Sequence, residues 1–285
     1  MENEHVPPRS NRGAQSSNQS GLVACVDWFQ VTFKKHTDLS VIVSLLQLEN
    51  ERFIDCNGQY GYKKGLWSNG IFLFYDGNDN MGVHLQLTGT GCRYVEQNDD
   101  FDWFTFFANI HDMQDYNVTR LDLAIDDYTG YFTIEEIIKK VKKGELVSRF
   151  KSAKRIESIE IKDGKSSGNT VYFGSSQSRL QIRMYEKNHE RRARGIDHNI
   201  DFWNRTELQM RKERAHNMFT MLLENEDSEI STYIKGVLNN YLRFVNKKRT
   251  EKNKSKWPVW KKWQRFIGDV EKIKLTKSEP EKDLI

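Results

Sequence analysis

Cysteine is scarce in this chain of 285 residues: Cys25, Cys56 and Cys92 are odd in number, widely spaced and free of any CxxC pair. Neither a zinc ribbon nor a disulfide framework is indicated, and a reducing cytoplasm is the natural compartment. No apolar run approaches the roughly 20 residues needed to cross a bilayer. The opening stretch, MENEHVPPRSNRGAQSSNQSG, has no apolar core of the kind a signal peptide carries. Internal repeats are absent, as is any GxxxxGK[ST] phosphate loop, so no helicase motor is built in. A strong charge of one sign is also missing. Lys and Arg total 44 against 40 Asp and Glu, a balance that permits nucleic-acid binding without demanding it.

What is present is enough for a folded body. Hydrophobic residues make up 37% and aromatics 12%, which supports one large domain or two small ones. Residues 1–20 are almost wholly polar and read as a disordered lead-in. LVACVDWFQVTF then reads as a strand, with Asp27 a strand-end carboxylate. HTDLSVIVSLLQL has helical spacing behind Asp38 or Ser40 as a cap. YGYKKGLWSNGIFLFYDG and MGVHLQLTGTGCRYVE read as strands of an antiparallel meander, punctuated by Ser68-Asn69-Gly70 and Asp76-Gly77-Asn78. NDDFDWFTFFANIHDM is an aromatic helix behind an acidic cap, and FTIEEIIKKVKKGEL an amphipathic helix with a Thr133–Glu136 capping box. After Ala215 the pattern turns helical with no strand signal. Near the end, Trp257, Trp260, Trp263 and Phe266 fall at three-residue spacing, as if along one helix face among Lys and Arg. Packing is the default for such a face and base stacking the alternative. The expected architecture is α+β: a central antiparallel sheet with flanking helices over 21–215, and a helical, basic C-terminal part over 216–285.

Four stretches alternate strictly, which on a strand sends polar residues to one face. They present His84 and Gln86; Asp122 and Asp126; Arg179, Gln181, Arg183, Tyr185 and Lys187; and Arg205, Glu207, Gln209 and Arg211. Asp122 and Asp126 are expected about 7 Å apart. Each face alone could be the solvated side of an ordinary sheet. If the strands share one sheet, the acidic residues and His84 could hold a hard divalent ion, Mg²⁺ or Mn²⁺. That ion would bring a phosphodiester to Tyr185, with Arg183, Lys187 and the metal favouring its phenolate. Arg205 and Arg211, with Arg191, Arg192 and Arg194, would hold the DNA backbone.

The strings TRLDLAIDD, TVYFGSSQSRLQIRMYEKNHER and FWNRTELQMRKERA resemble the transfer-type replication initiators of rolling-circle plasmids. That family includes relaxases of conjugative elements. The most telling piece is Tyr172-Phe173-Gly174 followed by Arg179, Arg183, Tyr185 and Lys187. The resemblance implies a site-specific single-strand nickase and religase for plasmid replication, with Tyr185 joined to the 5′ end of the cut strand. Asp122 and Glu207 match acidic motif positions, Asp126 less closely, and His84 a reduced form of a His-hydrophobe-His signature. The resemblance further implies origin DNA with an exposed single-stranded nick site, a host helicase and a homodimer as partners. Two rivals stay open: a relaxase acting in conjugative transfer, and a DNA-binding module that has lost nicking.

Overall fold

The computed structural model describes residues 21–34, 37–195, 200–224 and 229–275, so the expected disordered lead-in at 1–20 lies outside them. The alternating segments become the strands β1 (Leu22–Phe33), β2 (Ile54–Asn57), β3 (Lys64–Ser68), β4 (Ile71–Tyr75), β5 (Val83–Leu87), β6 (Tyr116–Asp127), β7 (Leu146–Ser148), β8 (Ala153–Ile159), β9 (Ser166–Phe173), β10 (Leu180–Glu186), β11 (Asn204–Arg211) and β12 (Leu242–Phe244). The helices are α1 (Leu39–Leu45), α2 (Gly89–Val95), α3 (Trp103–Asp112), α4 (Ile134–Lys142), α5 (Lys187–Ala193), α6 (Glu213–Glu224), α7 (Ile230–Tyr241) and α8 (Lys261–Ile267). Ten strands form one sheet in the order β2-β3-β4-β5-β1-β6-β11-β10-β9-β8, every neighbouring pair antiparallel. This is the expected α+β class with a central antiparallel sheet.

One face of the sheet makes the core. Phe29 and Val31 of β1, Leu121, Leu123 and Ile125 of β6, Ile182 and Met184 of β10, and Leu208 and Met210 of β11 are all buried there. Helices close over them. Phe29 meets Trp103, Phe106 and Phe107 of α3 and Phe219 of α6 at ring-centroid distances of 5.2–6.4 Å. Helix α3 starts as expected, with the Asp102 carboxylate accepting from Thr105 N at 2.8 Å. The Thr133–Glu136 capping box at the start of α4 is present in both directions. Asp38 does stand at the head of α1, but its side chain makes no capping bond.

Three expectations need correction. The stretch GTGCRYV is helix α2, not strand, because Thr88 Oγ1 caps Gly91 N and outweighs the two glycines that hide a helical pattern. The C-terminal part carries a strand after all: β12 pairs with β7 in a second, two-stranded sheet. The four aromatics of the tail do not share a helix face, since α8 begins only at Lys261. Trp263 and Phe266 are core residues, and Trp257 is buried ahead of the helix. The segment after 215 therefore completes the same core, through α6, α7, β12 and α8.

Candidate active site

The opposite sheet face is polar, and among the α-helices of the described residues α5 is the one that contributes nothing to the core cluster. Register decides what meets there. Across β6, β11, β10 and β9, one row reads Asp126, Arg205, Tyr185 and Thr170, and the next reads Ala124, Glu207, Arg183 and Tyr172. A third reads Trp28, Asp122, Gln209 and Gln181 from β1 to β10. The strand period of two puts all of these side chains on one side. Tyr185, Arg183 and Glu207 are thus immediate neighbours, as the sequence pattern suggested for Tyr185 and a carboxylate on a second strand.

Tyr185 is 2% exposed. The Arg183 guanidinium lies 3.7 Å from its ring centroid, and Lys187 Nζ donates to its Oη at 3.2 Å. Burial pushes the phenol well above its usual range. Glu207 and Asp27 add to that rise, and Arg205 and Arg183 oppose it without overcoming it. With neither metal nor DNA in place, desolvation is the larger effect on the phenol. Lys187 and Arg183 are themselves held by Glu190, whose carboxylate accepts from Lys187 at 2.6 Å and lies 3.7 Å from Arg183. Glu190 also pairs with Arg194 at 3.0 Å. Its part was invisible as a motif. The signal was helical spacing, three residues after Lys187 and four before Arg194, and it becomes legible once α5 is known to start right after Tyr185.

The acidic residues divide by partner. Asp122 lies under Arg120, which donates to both of its oxygens at 2.5–3.1 Å. Burial pushes the Asp122 carboxyl up to about 7, with Glu207 and Asp27 raising it and Arg120 pulling against them. Asp126 is bound on both oxygens by Arg205, at 2.7 and 2.6 Å, and also accepts from Trp203 Nε1 at 2.7 Å. A third guanidinium nitrogen of Arg205 bonds Asp27. Arg205 is 5% exposed, so it is a buried ion-pair centre and not the backbone clamp that was expected. Asp126 is likewise occupied. The expected 7 Å between Asp122 and Asp126 is also corrected: four residues of strand are about 13 Å, with Ala124 between them. Glu207, opposite Ala124, sits between the two. Its Oε1 accepts from Gln209 at 2.7 Å, while Oε2 is buried with no hydrogen-bond partner and stands 3.7 Å from Arg183.

His84 is on the same face but not in the same place. It belongs to β5, three strands from β11, and its row runs through Thr32, far along the sheet from that of Glu207. Its Nδ1 meets Thr32 Oγ1 at 2.8 Å among the rings of Tyr60, Tyr62 and Phe74. Burial pushes its pKa down to about 4. Among the described residues, no group of three or more His, Cys, Asp or Glu is arranged to hold a metal ion. The donor that fits a hard cation is Glu207, through its unpartnered Oε2. Asp27 and Asp122 are close enough for their charges to act on one another and on Glu207. Asp27 is brought in by a bulge between Val26 and Trp28, a feature that strand alternation alone does not reveal.

The remaining arginines also divide. Arg179 pairs with Glu213, both well exposed, and Arg192 stands 3.9 Å from Asp201 with 47% of its side chain exposed. Arg191 packs over Trp203 at 5.3 Å, and Arg211 donates to Gln209 Oε1 at 3.3 Å.

The chain is similar to known proteins over most of its length. Residues 116–285 match the family model described as replication initiation factor, and residues 23–109 match that of the rolling circle replication initiation protein N-terminal domain. NicK of Bacillus subtilis (strain 168), a protein assigned as a DNA relaxase, is 35% identical over 99% of this chain and 83% of its own length. The solved rolling circle replication initiator protein from Geobacillus stearothermophilus is 39% identical, with a TM-score of 0.81 over 91% of this chain and all of that one.

Proposed function

Because the chain belongs to the rolling-circle replication initiator and relaxase family, whose members nick DNA, we propose that Tyr185 is the residue that cuts. One observation carries this reading: a single tyrosine of the polar face lies against a guanidinium, an ammonium and a carboxylate at once. Its Oη attacks the phosphorus of one origin strand and breaks the P–O3′ bond. The strand is left with a 3′-hydroxyl and with its 5′-phosphate on the tyrosine, and the reverse reaction reseals it. Arg183 and Lys187 are placed to offset charge that develops on the phosphoryl oxygens. Glu190 keeps both cations aimed.

Glu207 would be the residue to hold a divalent cation, Mg²⁺ or Mn²⁺, because hard oxygen donors suit it and its Oε2 has no hydrogen-bond partner, whereas Asp27 and Asp122 would first have to release Arg205 and Arg120. When bound, that cation supplies Lewis-acid polarisation of the scissile phosphate. Because Tyr185 is 2% exposed in the DNA-free chain, a scissile phosphate reaches its Oη only if the side chains covering it give way. Origin DNA with an exposed single strand is the substrate this implies. Unwinding falls to a separate helicase, and a pair of chains acting together at the origin fits the family's mode of work.

Supercoiled plasmid carrying the chain's own origin, incubated with Mg²⁺ or Mn²⁺, tests this. Wild type should yield open circles and a covalent protein–DNA adduct, and Tyr185→Phe neither. Nicking by Tyr185→Phe at the wild-type rate would overturn the assignment. Glu207→Gln should lower cleavage by at least 100-fold while DNA affinity stays within about twofold, the signature of a group that acts on the reacting phosphate.

A further inference from the structure

The face that bears Tyr185 continues well past it, and from this continuation, resting on the nicking reading, we infer a track on which single-stranded DNA lies with its bases stacked on Tyr60, Trp67 and Phe72. The track is set by register. Ile54, Trp67, Phe72, Gln86, Gln30, Arg120 and Arg211 are successive cross-strand partners from β2 to β11, one residue per strand. All seven therefore lie in one row on one face, and Arg211 is six residues along β11 from Arg205, the partner of Tyr185. The row thus begins about 20 Å from the nucleophile along β11 and runs about 24 Å across to Trp67.

Its composition separates it from an ordinary outer sheet face. Tyr60, Ile54 and Trp67 are 58%, 48% and 38% exposed, and they gather at one end instead of being scattered. Phe72 lies in ring contact with Phe74 at 5.7 Å, and Phe74 with Tyr60 at 5.7 Å, so the platform is continuous. Beneath Tyr60 is an amide network. Gln30 Nε2 donates to Gln86 Oε1 at 2.5 Å, and the Tyr60 hydroxyl donates to the same oxygen at 2.9 Å. These bonds fix the Tyr60 ring over the sheet with its body in solvent. At the end nearer Tyr185, the Arg120 guanidinium stacks 4.1 Å from the Trp28 ring centroid. Trp28 Nε1 there is buried with no hydrogen-bond partner among the described residues.

Rigid exposed rings, amides and a few arginines on an open sheet suit unpaired bases, because every base offers a face to stack and the cations follow the backbone. A duplex would need a denser line of cations, since Arg120 is already held by Asp122 and Arg211 alone is left. Continuity with the nicking site decides the occupant: the strand that enters at Tyr185 must leave across the same face. Its unpaired flank then meets Arg211 first and the rings after it.

Binding should be measured on the full chain as Tyr185→Phe, with EDTA, by fluorescence anisotropy of a labelled oligothymidylate of about 12 nucleotides. Trp67→Ala and Tyr60→Ala should each weaken single-strand binding by about 10-fold, Trp67→Phe should recover most of the loss, and affinity for a duplex of equal length should not change. With 4-thiothymidine in the oligonucleotide, photo-crosslinks should map to the β3–β4 hairpin. Unchanged single-strand affinity in both alanine variants would overturn the track, as would crosslinks confined to other elements. So would a fall in sedimentation coefficient for Trp67→Ala without loss of DNA binding, which would make this face a contact between copies. The nicking reading fails separately, through the adduct assay on wild type.

Discussion

An arginine on a sheet face can meet a phosphate only if carboxylates have not already claimed it. Arg205 carries two such partners, Asp126 and Asp27, and is almost wholly buried. Arg205→Met should therefore act on stability before it acts on DNA, because it leaves Asp126 and Asp27 desolvated without a counter-charge. The expected loss is about 3–5 kcal/mol, read from urea denaturation. A variant as stable as wild type but weaker on DNA would restore Arg205 as a backbone contact. Glu190 belongs to the opposite case, a carboxylate that positions cations near solvent. Glu190→Gln should lower the rate of adduct formation by about 10-fold or more with little change in DNA affinity, since Lys187 and Arg183 stay charged but lose their anchor. Equal loss in both measurements would point to misfolding instead.

Helix α4 shows at the scale of an element how a short sequence signal is extended by tertiary structure. Thr133 and Glu136 form the capping box that their spacing announces, and Lys262 of α8 then donates to both Glu136 oxygens at 2.7 and 2.8 Å. Burial raises the Glu136 carboxyl, but the Lys262 hydrogen bond and the Thr133 backbone outweigh it, so its pKa is lowered overall. A lowered folded value means stability that is present above the ordinary carboxylate range and lost as pH falls through the folded value. Lys262→Met should flatten the acid side of the stability–pH curve between about pH 5 and 3, with the alkaline side unchanged. An unaltered acid limb would show that α8 does not depend on this pair. Thr133→Ala should cost about 1 kcal/mol at any pH.

At the scale of the molecule, the second surprise is that the chain after Ala215 is wall, not appendage. Trp263 lies among Phe132, Phe244 and Phe266 at centroid distances of 4.8–5.9 Å. Trp263→Ala should destabilise the whole fold by about 3–5 kcal/mol in a single transition while leaving single-strand affinity per folded molecule unchanged. A separate early transition would instead mark an independent C-terminal unit. The ten-strand sheet has a division of labour across its two faces: helices and aromatics on one, charge and the tyrosine on the other. No helix among the described residues is long and apolar enough to cross a membrane.

Alternation by itself determined which side of each strand Tyr185, Arg183, Glu207 and Asp122 would occupy, because a strand's period of two is local and needs no partner, whereas Lys187 reaches the site from the start of α5. The resemblance in motif order identified the family for the same reason, since motifs are read along the chain. Register could not be read that way. That Glu207 faces Arg183, that Asp126 is claimed by Arg205, that His84 lies three strands from Glu207, and that Asp27 and Glu190 join the site all depend on which residues stand opposite one another. Burial is likewise a property of the assembled sheet. It raises the Tyr185 phenol above its usual range, with Glu207 and Asp27 adding to the rise and Arg205 and Arg183 opposing it.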